Sequence, residues 1–479
     1  MAIREINILT LKQDYQVLAA DRAMYGEVYT PYTLIKQMLD LFPEAVYSDP
    51  NRKWLDPGAG SGFFSLYLFS RLDKGLIYIY PDKQTRHNHI LHQMLFLNEI
   101  KPENICKLKA LFGADANIHS GDFLVEAALN TTTITTTTTT TVFDYIIGNP
   151  PYNINGKKKI PTNKVLDKKA DGNMCWFAFI KKAVSLLKPQ TGQLAFIVPS
   201  IWLKPDRAGI HQFLTGFSLQ QIRCFSSNET NKLFNGFAQT PTCFFRLTNR
   251  QREAGTGITL YDSTIDEYVE YGNASPFSSA LPLFAPSLII KLQPFILLAK
   301  SSIGACIVKT NMPPKNTKLA LEASAVNIHA NITTCILNGL QPTLVFNYSA
   351  KPMRFSGVSK LVLAHKMYGF PYFDATGQFG ISNRDNYVIW QKTLPQLAQI
   401  HAFLNTRLAR YIYDAARYRM KYLEKFAFDF LPDITLLPDF PSAADISDAA
   451  VASYFGLSPL DQAAINSRHK AYGFFGENP

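Results

Sequence analysis

The chain contains no apolar run of about 18 residues or more, the length a membrane-spanning helix needs. No membrane span is therefore expected. Its first residues, "MAIREINILTLKQDY", carry charges throughout and offer no signal-peptide core. Cysteine is scarce. The six thiols, at 106, 175, 224, 243, 306 and 335, form no CxxC pair, which argues against a disulfide framework or a zinc ribbon and for reduced thiols in an intracellular protein. The expected compartment is the cytoplasm of a prokaryote, or a nucleus or viral replication compartment. Histidine clusters only in "HNHILHQ", where His87, His89 and His92 share a predicted helix without an acidic neighbour. A solvated helix face explains them better than a ligand set, and no metal is expected. There is no internal repeat.

Charged residues are few as well, 18% against 47% hydrophobic, so most of the 479 residues should fold. What charge there is leans one way. The net value of +11 and pI near 9.1 favour a polyanionic partner without proving one. Residues 131–141 hold ten threonines and one isoleucine. They have no period-2 contrast and read as a flexible insertion between two strands, or else as an edge hairpin.

Around that tract strand and helix patterns alternate. "YTPYTLIKQMLDLF" reads as a helix with Thr30 as N-cap, Pro31 at the first helical position and Leu34, Met38, Leu41 and Phe42 inward. "KWLDPGAGSGFFSLYLFSRL" reads as strand, glycine turn and helix, "LIYIY" as a second strand and "TRHNHILHQMLFLNEI" as a second helix. "FDYIIG", "CWFAFIKKAVSLLK" and "QLAFIVP" continue as strand, helix and strand. This is the rhythm of an α/β, Rossmann-like sheet covered by helices on both faces. It breaks in the polar stretch after "TCFFRL". A boundary near residue 250 separates a catalytic domain, residues 1–250, from a mixed α+β domain, residues 251–479. That second domain should hold strands such as "KLVLAHKMY" and a long helix pattern from about 394 to 426.

Three stretches carry chemistry. "WLDPGAGSG" sets Asp56 at a strand end and Gly58, Gly60 and Gly62 in the turn after it, letting backbone approach a ligand closely. The third glycine comes one residue early for a G-x-G-x-x-G dinucleotide turn. A ribose-binding acid is expected further on. The nearest to the end of "LIYIY" is Asp82, which a helix cap would explain equally well. "NIHSGDF" places Asp122 and Phe123 at another strand end, suited to an adenine's amino group and ring, or to a plain N-cap. Lastly, "GNPPY" follows an apolar strand. Two prolines fix two φ angles and remove two donors, leaving the Pro150 carbonyl and the Asn149 side-chain oxygen as stiffly held acceptors for an exocyclic amine. Pro151 completes the rigid turn and Tyr152 offers a stacking face.

Together these motifs resemble those of adenine-N6-specific DNA methyltransferases in which the cofactor motif precedes the catalytic one and a target-recognition domain follows. The resemblance covers roughly residues 20–250. It implies S-adenosylmethionine as cofactor, with Thr30 and Pro31 beside its methionine part and Asp56, Gly58, Gly60, Asp82, Asp122 and Phe123 around the rest. Asn149, Pro150, Pro151 and Tyr152 would form the catalytic motif. "NKLFNGFAQTPTCFFRL" is similar to the segment whose phenylalanine packs on the flipped base, here Phe234 or Phe237. The resemblance implies methyl transfer to N6 of an adenine extruded from double-stranded DNA. A restriction endonuclease acting on the same site would be a separate protein. Tyr80, where an acid would be usual, departs from the pattern.

Basic segments suit such a substrate. Six lysines lie between 157 and 169, among them Lys158, in a loop that would close on the DNA backbone. "NTRLARYIYDAARYRMKYLEK" interleaves tyrosines with cations, including Arg417 and Lys421, as phosphate-contacting helices do. Its tyrosines could equally face a core. The rival functions are methylation of another amino acceptor (N4 of cytosine, an RNA base or a protein glutamine) and a non-catalytic DNA-binding module on a methyltransferase fold.

Overall fold

The computed structural model describes residues 29–125, 132–134, 137–139, 142–152, 175–236, 238, 240–253, 255–272, 280–338, 341–365, 371–419 and 422–471. Lys158, Phe237 and Lys421, and the whole six-lysine segment, lie outside the described residues. The chain divides into two compact units, Met1–Thr259 and Leu260–Pro479.

In the first unit the elements are α1 (Tyr32–Leu39), β1 (Trp54–Asp56), α2 (Phe63–Gly75), α3 (Lys83–His89), β2 (Leu95–Glu99), α4 (Pro102–Phe112), β3 (Ile118–Ser120), β4 (Thr132–Ile134), β5 (Thr137–Thr139), β6 (Tyr145–Gly148), α5 (Cys175–Leu186), β7 (Gln193–Pro199), α6 (Ile210–Thr215), β8 (Phe217–Phe225), α7 (Ser227–Leu233) and β9 (Thr242–Gln251). The main sheet runs β8-β9-β7-β6-β1-β2-β3 within this unit. β3, β2, β1, β6 and β7 are parallel neighbours, while β9 runs antiparallel between β7 and β8. The parallel strands are continuous apolar runs because both faces are covered. β1 and β6 are buried throughout, and so is β7 apart from Gln193. This is the expected α/β, Rossmann-like class.

The strand order also locates a ligand site. From β1 the chain builds outward to β2 and β3 on one side, then returns to place β6 and β7 on the other. In open α/β sheets the crevice at such a reversal, beyond the carboxyl ends of the strands, is where ligands bind. The residues at those two ends are Asp56 and Gly148.

Three local expectations change. "LIYIY" is not a strand. It forms an exposed turn after α2, with Tyr78 94% exposed. The second strand is instead "LFLNE", β2, which enters directly from α3 through a π-helical turn at Ile90–Met94. "TRHNHILHQMLFLNEI" has helical spacing throughout, but Leu95 and Leu97 are drawn into register with Trp54 and Asp56 of β1, a tertiary pairing that overrides the local pattern. At the start of α1, Pro31 occupies the N-cap and no side chain caps the helix. Thr30 is engaged elsewhere. Leu34, Met38, Leu41 and Phe42 are all buried as expected. The threonine tract holds an antiparallel β4–β5 pair in a two-stranded sheet of its own, as suits β-branched side chains.

The second unit is mixed α+β. Val308–Lys309, Asn386–Ile389, Lys360–Ala364 and Tyr372–Asp374 form a four-stranded sheet in that order. The hairpin His329–Asn338 and Gln341–Ser349 belongs to a second sheet. Ile332, Cys335, Val362, Ile381 and Val388 make a shared core cluster. The expected long helix is broken. Leu394–Leu404 stops at Asn405, Thr406 caps a new helix, Arg407–Ala415, and a short helix, Phe426–Asp429, follows. Tyr411, Tyr413 and Tyr418 of this region are buried, so the core reading of its tyrosines is the one the structure bears out.

Candidate active site

A cavity opens at the β1/β6 reversal. It is lined by Tyr29, Thr30, Asp56 to Ser61, Phe63, Phe64, Asn98 to Ile100, Asn104, Asp122, Phe123, Asn149, Pro151 and Phe179. It thus brings together Thr30, Asp56, Gly58, Gly60, Asp122, Phe123, Asn149 and Pro151 from motifs up to about 120 residues apart in sequence.

The glycine turn gets its shape from backbone constraints. Gly62, the N-cap of α2, sits at φ +90°, and a Cβ there would lie 2.8 Å from Leu108 Cδ2 of α4. Only glycine combines that conformation with that contact. At the neighbouring strand end, a Cβ on Gly148 would lie 3.0 Å from Asp56 Oδ1. The missing side chain makes room for the carboxylate. Asp56 is 1% exposed. Its Oδ2 accepts from Ser65 Oγ at 2.7 Å and its Oδ1 from the Gly58 amide at 3.3 Å. Burial outweighs these donors and raises its pKa to about 7.

The acid that completes the pocket is Glu99, at the end of β2. Its Oε2 accepts from the Gly60 amide at 2.7 Å, and its Oε1 from the amides of Ile100 and Lys101 at 3.0 and 2.8 Å. Asn98 beside it ties the turn to β3, donating to the carbonyls of Pro57 and Gly121 while its oxygen pairs with His119 Nδ1. Asp82 is not part of this cavity. It is the exposed N-cap of α3, accepting from the Thr85 amide at 2.7 Å, and that backbone bond holds its pKa below the usual carboxylate range. The assignment of Asp82 to the ribose is therefore corrected. Glu99 is not legible as a site residue in the sequence, because the helical spacing of "TRHNHILHQMLFLNEI" masks the strand that it ends. An acid closing the run "LFLNE" was the available signal.

Asp122 accepts from the Leu124 amide at 2.9 Å. Phe123 is packed 4.9 Å from Phe179 of α5, with Lys182 Nζ 5.1 Å from its ring. Ile100, Phe64 and Phe179 add apolar wall that the sequence did not single out.

Asn149 Nδ2 donates to Thr30 Oγ1 at 3.0 Å. The threonine that was expected to cap α1 thus steadies the asparagine. The Tyr152 hydroxyl donates to the Ile197 carbonyl of β7 at 3.3 Å, and burial raises its pKa. Pro31, Pro150 and Tyr152 flank the cavity residues in sequence without lining the cavity. Phe234 is 2% exposed, at the end of α7. It is a core side chain here and offers no face to a base.

Arg417, expected on the solvent side, has a side chain only 14% exposed and sits 3.5 Å from Asp414. It is corrected to a largely buried ion pair. His87 lies beside Asp73, His89 on the Pro50 carbonyl and His92 between the Asn88 carbonyl and Asp115. Among the described residues no group of three or more His, Cys, Asp or Glu side chains is placed to hold a metal ion. Nor does any described helix have the length and apolarity to cross a membrane.

Comparison with known proteins points the same way. Residues 52–231 match the family model described as Eco57I restriction-modification methylase. An adenine-specific methylase of Mycoplasma pneumoniae is 48% identical over 79 residues, covering 16% of this chain and 19% of that protein. The type II methyltransferase M.TthHB8I of Thermus thermophilus is 34% identical over 137 residues, 26% of this chain and 29% of that protein. The chain thus spans less than a third of the length of either relative. Among solved structures, the Type IIL restriction-modification enzyme MmeI in complex with DNA aligns with 97% of this chain and 78% of its own, at TM-score 0.46 and 14% identity. The segment that carries the glycine turn, Glu99, Asp122 and Asn149 is therefore similar to the Eco57I restriction-modification methylases, and the resemblance to adenine-specific DNA methyltransferases read from the sequence is the one the comparisons return.

Proposed function

We propose that this protein transfers a methyl group from S-adenosylmethionine to N6 of an adenine swung out of double-stranded DNA. One observation carries the reading: a single cavity is lined both by the glycine turn and by Asn149 and Pro151, so cofactor loop and catalytic motif face one space.

The lining fits the cofactor chemically. Beyond Gly60 a Cβ would meet nothing within 4 Å, and beyond Gly58 only Phe179 and Pro151 at 3.9 Å, which leaves backbone open to a ligand. Carboxylates at Asp56, Glu99 and Asp122 suit a cationic donor with ribose hydroxyls and an adenine amine. Glu99 takes the ribose role in place of Asp82, and Asp122 with Phe123 takes the adenine. Ile100 and Phe179 supply apolar faces. When bound there, S-adenosylmethionine supplies an electrophilic methyl group.

The chain's own part is orientation and electrostatics. With Nδ2 occupied by Thr30, Asn149 turns Oδ1 to the target amine as acceptor. The Pro150 carbonyl is the second acceptor. Two acceptors on the amine's N–H bonds localise its lone pair on nitrogen. Tyr152, tethered through its hydroxyl, presents its ring to the base. Stacking of about 1–3 kcal/mol per base offsets part of an extrusion cost of roughly a few kcal/mol. Residues 260–479 serve as the unit that reads DNA.

The test is to incubate the protein with unmethylated genomic DNA and S-adenosylmethionine and map modified bases by single-molecule sequencing. N6-methyladenine in one sequence context is expected. Modified cytosine, or methyl transfer only to RNA or protein, would replace this reading with a rival.

A further inference from the structure

We propose that a cationic face of the second unit, formed by Lys309, Arg419 and Lys425 around the rings of His365, Tyr387 and Tyr422, holds DNA phosphates. The proposal rests on the reading that duplex DNA is the substrate, and it locates where the second unit grips it.

Three distant parts of the chain converge on this face. Lys309 ends the strand Val308–Lys309 and pairs in register with Tyr387, its Nζ 6.0 Å from that ring's centroid. On the other side of Asn386–Ile389 lies Lys360–Ala364, and His365 follows directly. The His365 amide donates to the Asp385 carbonyl at 2.8 Å, and its ring stands 5.4 Å from Tyr387 and 5.0 Å from Tyr422. The third part is the segment after Tyr418. The Leu423 amide donates to the His365 carbonyl at 2.9 Å, and the Tyr387 hydroxyl donates to the Leu423 carbonyl at 3.1 Å. The Arg419 guanidinium lies 5.9 Å from the Tyr422 centroid.

Lys309, Arg384, Arg419 and Lys425 are exposed. Among the described residues, the carboxylates within the cluster are Glu424, 3.7 Å from Arg419 and nearly buried, and Asp385. Cations therefore outnumber carboxylates and stand further out. Burial, and after it the Lys309 charge, lower the His365 pKa to about 4, so the imidazole adds no charge near neutral pH. Aromatic rings packed beneath the cations restrict their stems, which lowers the entropy lost when a phosphate is gripped. Arg417, one of several cations of this region expected to contact DNA, points instead into an ion pair with Asp414, whereas Arg419, another of them, is half exposed. Lysine and arginine on phosphate set position and strength of binding, not sequence choice.

The experiment compares wild type, the Lys309→Ala/Arg419→Ala double variant and a Lys315→Ala/Lys318→Ala control, which removes two exposed lysines elsewhere in the same unit. A fluorescein-labelled duplex is titrated at several salt concentrations, and S-adenosylmethionine affinity is measured by calorimetry. The double variant should bind DNA about tenfold more weakly near 0.1 M salt, with the slope of log Kd against log salt lowered by about 2. Cofactor affinity and thermal midpoint should be unchanged. An unchanged slope in the double variant, or an equal drop in the control, overturns the proposal while duplex binding by wild type still stands. Absence of duplex binding by wild type would instead overturn the functional reading beneath it.

Discussion

Asn149 Nδ2 donates to Thr30 Oγ1 at 3.0 Å, joining two residues 119 positions apart that line one cavity. The bond occupies the nitrogen end of the amide and, on the proposed function, leaves Oδ1 to accept from the target amine. Replacing Thr30 with Val removes the acceptor and lets the amide turn, so kcat should fall by about tenfold, the equivalent of one ordinary hydrogen bond. Thr30→Ser should keep most of the rate. The opposite ranking, with Thr30→Val active and Thr30→Ser impaired, would mean that the methyl group, not the hydroxyl, matters.

On the proposed function, Asn149→Ala and Tyr152→Ala would remove an acceptor and a stacking face from the target base. Each should lower methyl transfer by about a hundredfold or more, while S-adenosylmethionine still binds. Single-turnover assays and calorimetry separate the two effects. Wild-type turnover in both variants would remove the catalytic assignment of this motif.

Glu99 accepts from three backbone amides, those of Gly60, Ile100 and Lys101. Glu99→Gln loses the charge and keeps a single acceptor oxygen, with an NH2 donor where the second carboxylate oxygen stood. Cofactor Kd should rise by about tenfold or more. Asp82→Asn should leave it unchanged, since Asp82 caps α3 instead. The reverse pattern would restore Asp82 as the ribose acid.

Asp56 has its pKa raised by burial to about 7. Between its ordinary value of 3.8 and about 7 the folded chain holds a proton that the unfolded chain has released. Stability therefore falls as pH rises through that window and levels off above it. Asp56→Asn should flatten this dependence, as chemical denaturation at pH 5 and pH 8 would show. A cationic cofactor favours the ionised form, so its affinity in wild type should rise with pH through about 7, and Asp56→Asn should lose that rise.

Gly62→Ala places a Cβ at φ +90° and 2.8 Å from Leu108 Cδ2. The strain and the displaced α4 contact should cost about 1–3 kcal/mol, read as a lower thermal midpoint. Cofactor affinity should also suffer, because the turn and α2 move together.

Sequence alone determined the alternation of strand and helix, the glycine turn at the end of β1, the GDF and NPPY stretches, and the absence of a long apolar span. Each is written locally. Glycine at positive φ, proline at fixed φ and unbroken apolar runs constrain their own few residues whatever lies around them. Only the tertiary structure decided that "LFLNE" pairs as a strand while "LIYIY" lies exposed, because pairing with β1 outweighs helical spacing. That choice brought Glu99 into the cavity beside Asp56 and Asp122 and left Asp82 a helix cap. It also decided that Thr30 serves Asn149, that Phe234 is core, and that Arg417 turns inward while Arg419 turns out. Side chains of one type take opposite roles according to the tertiary packing around them, and for Thr30 and the β1–β2 pairing the partners lie about 40 to 120 residues away in the chain, beyond the reach of any local pattern.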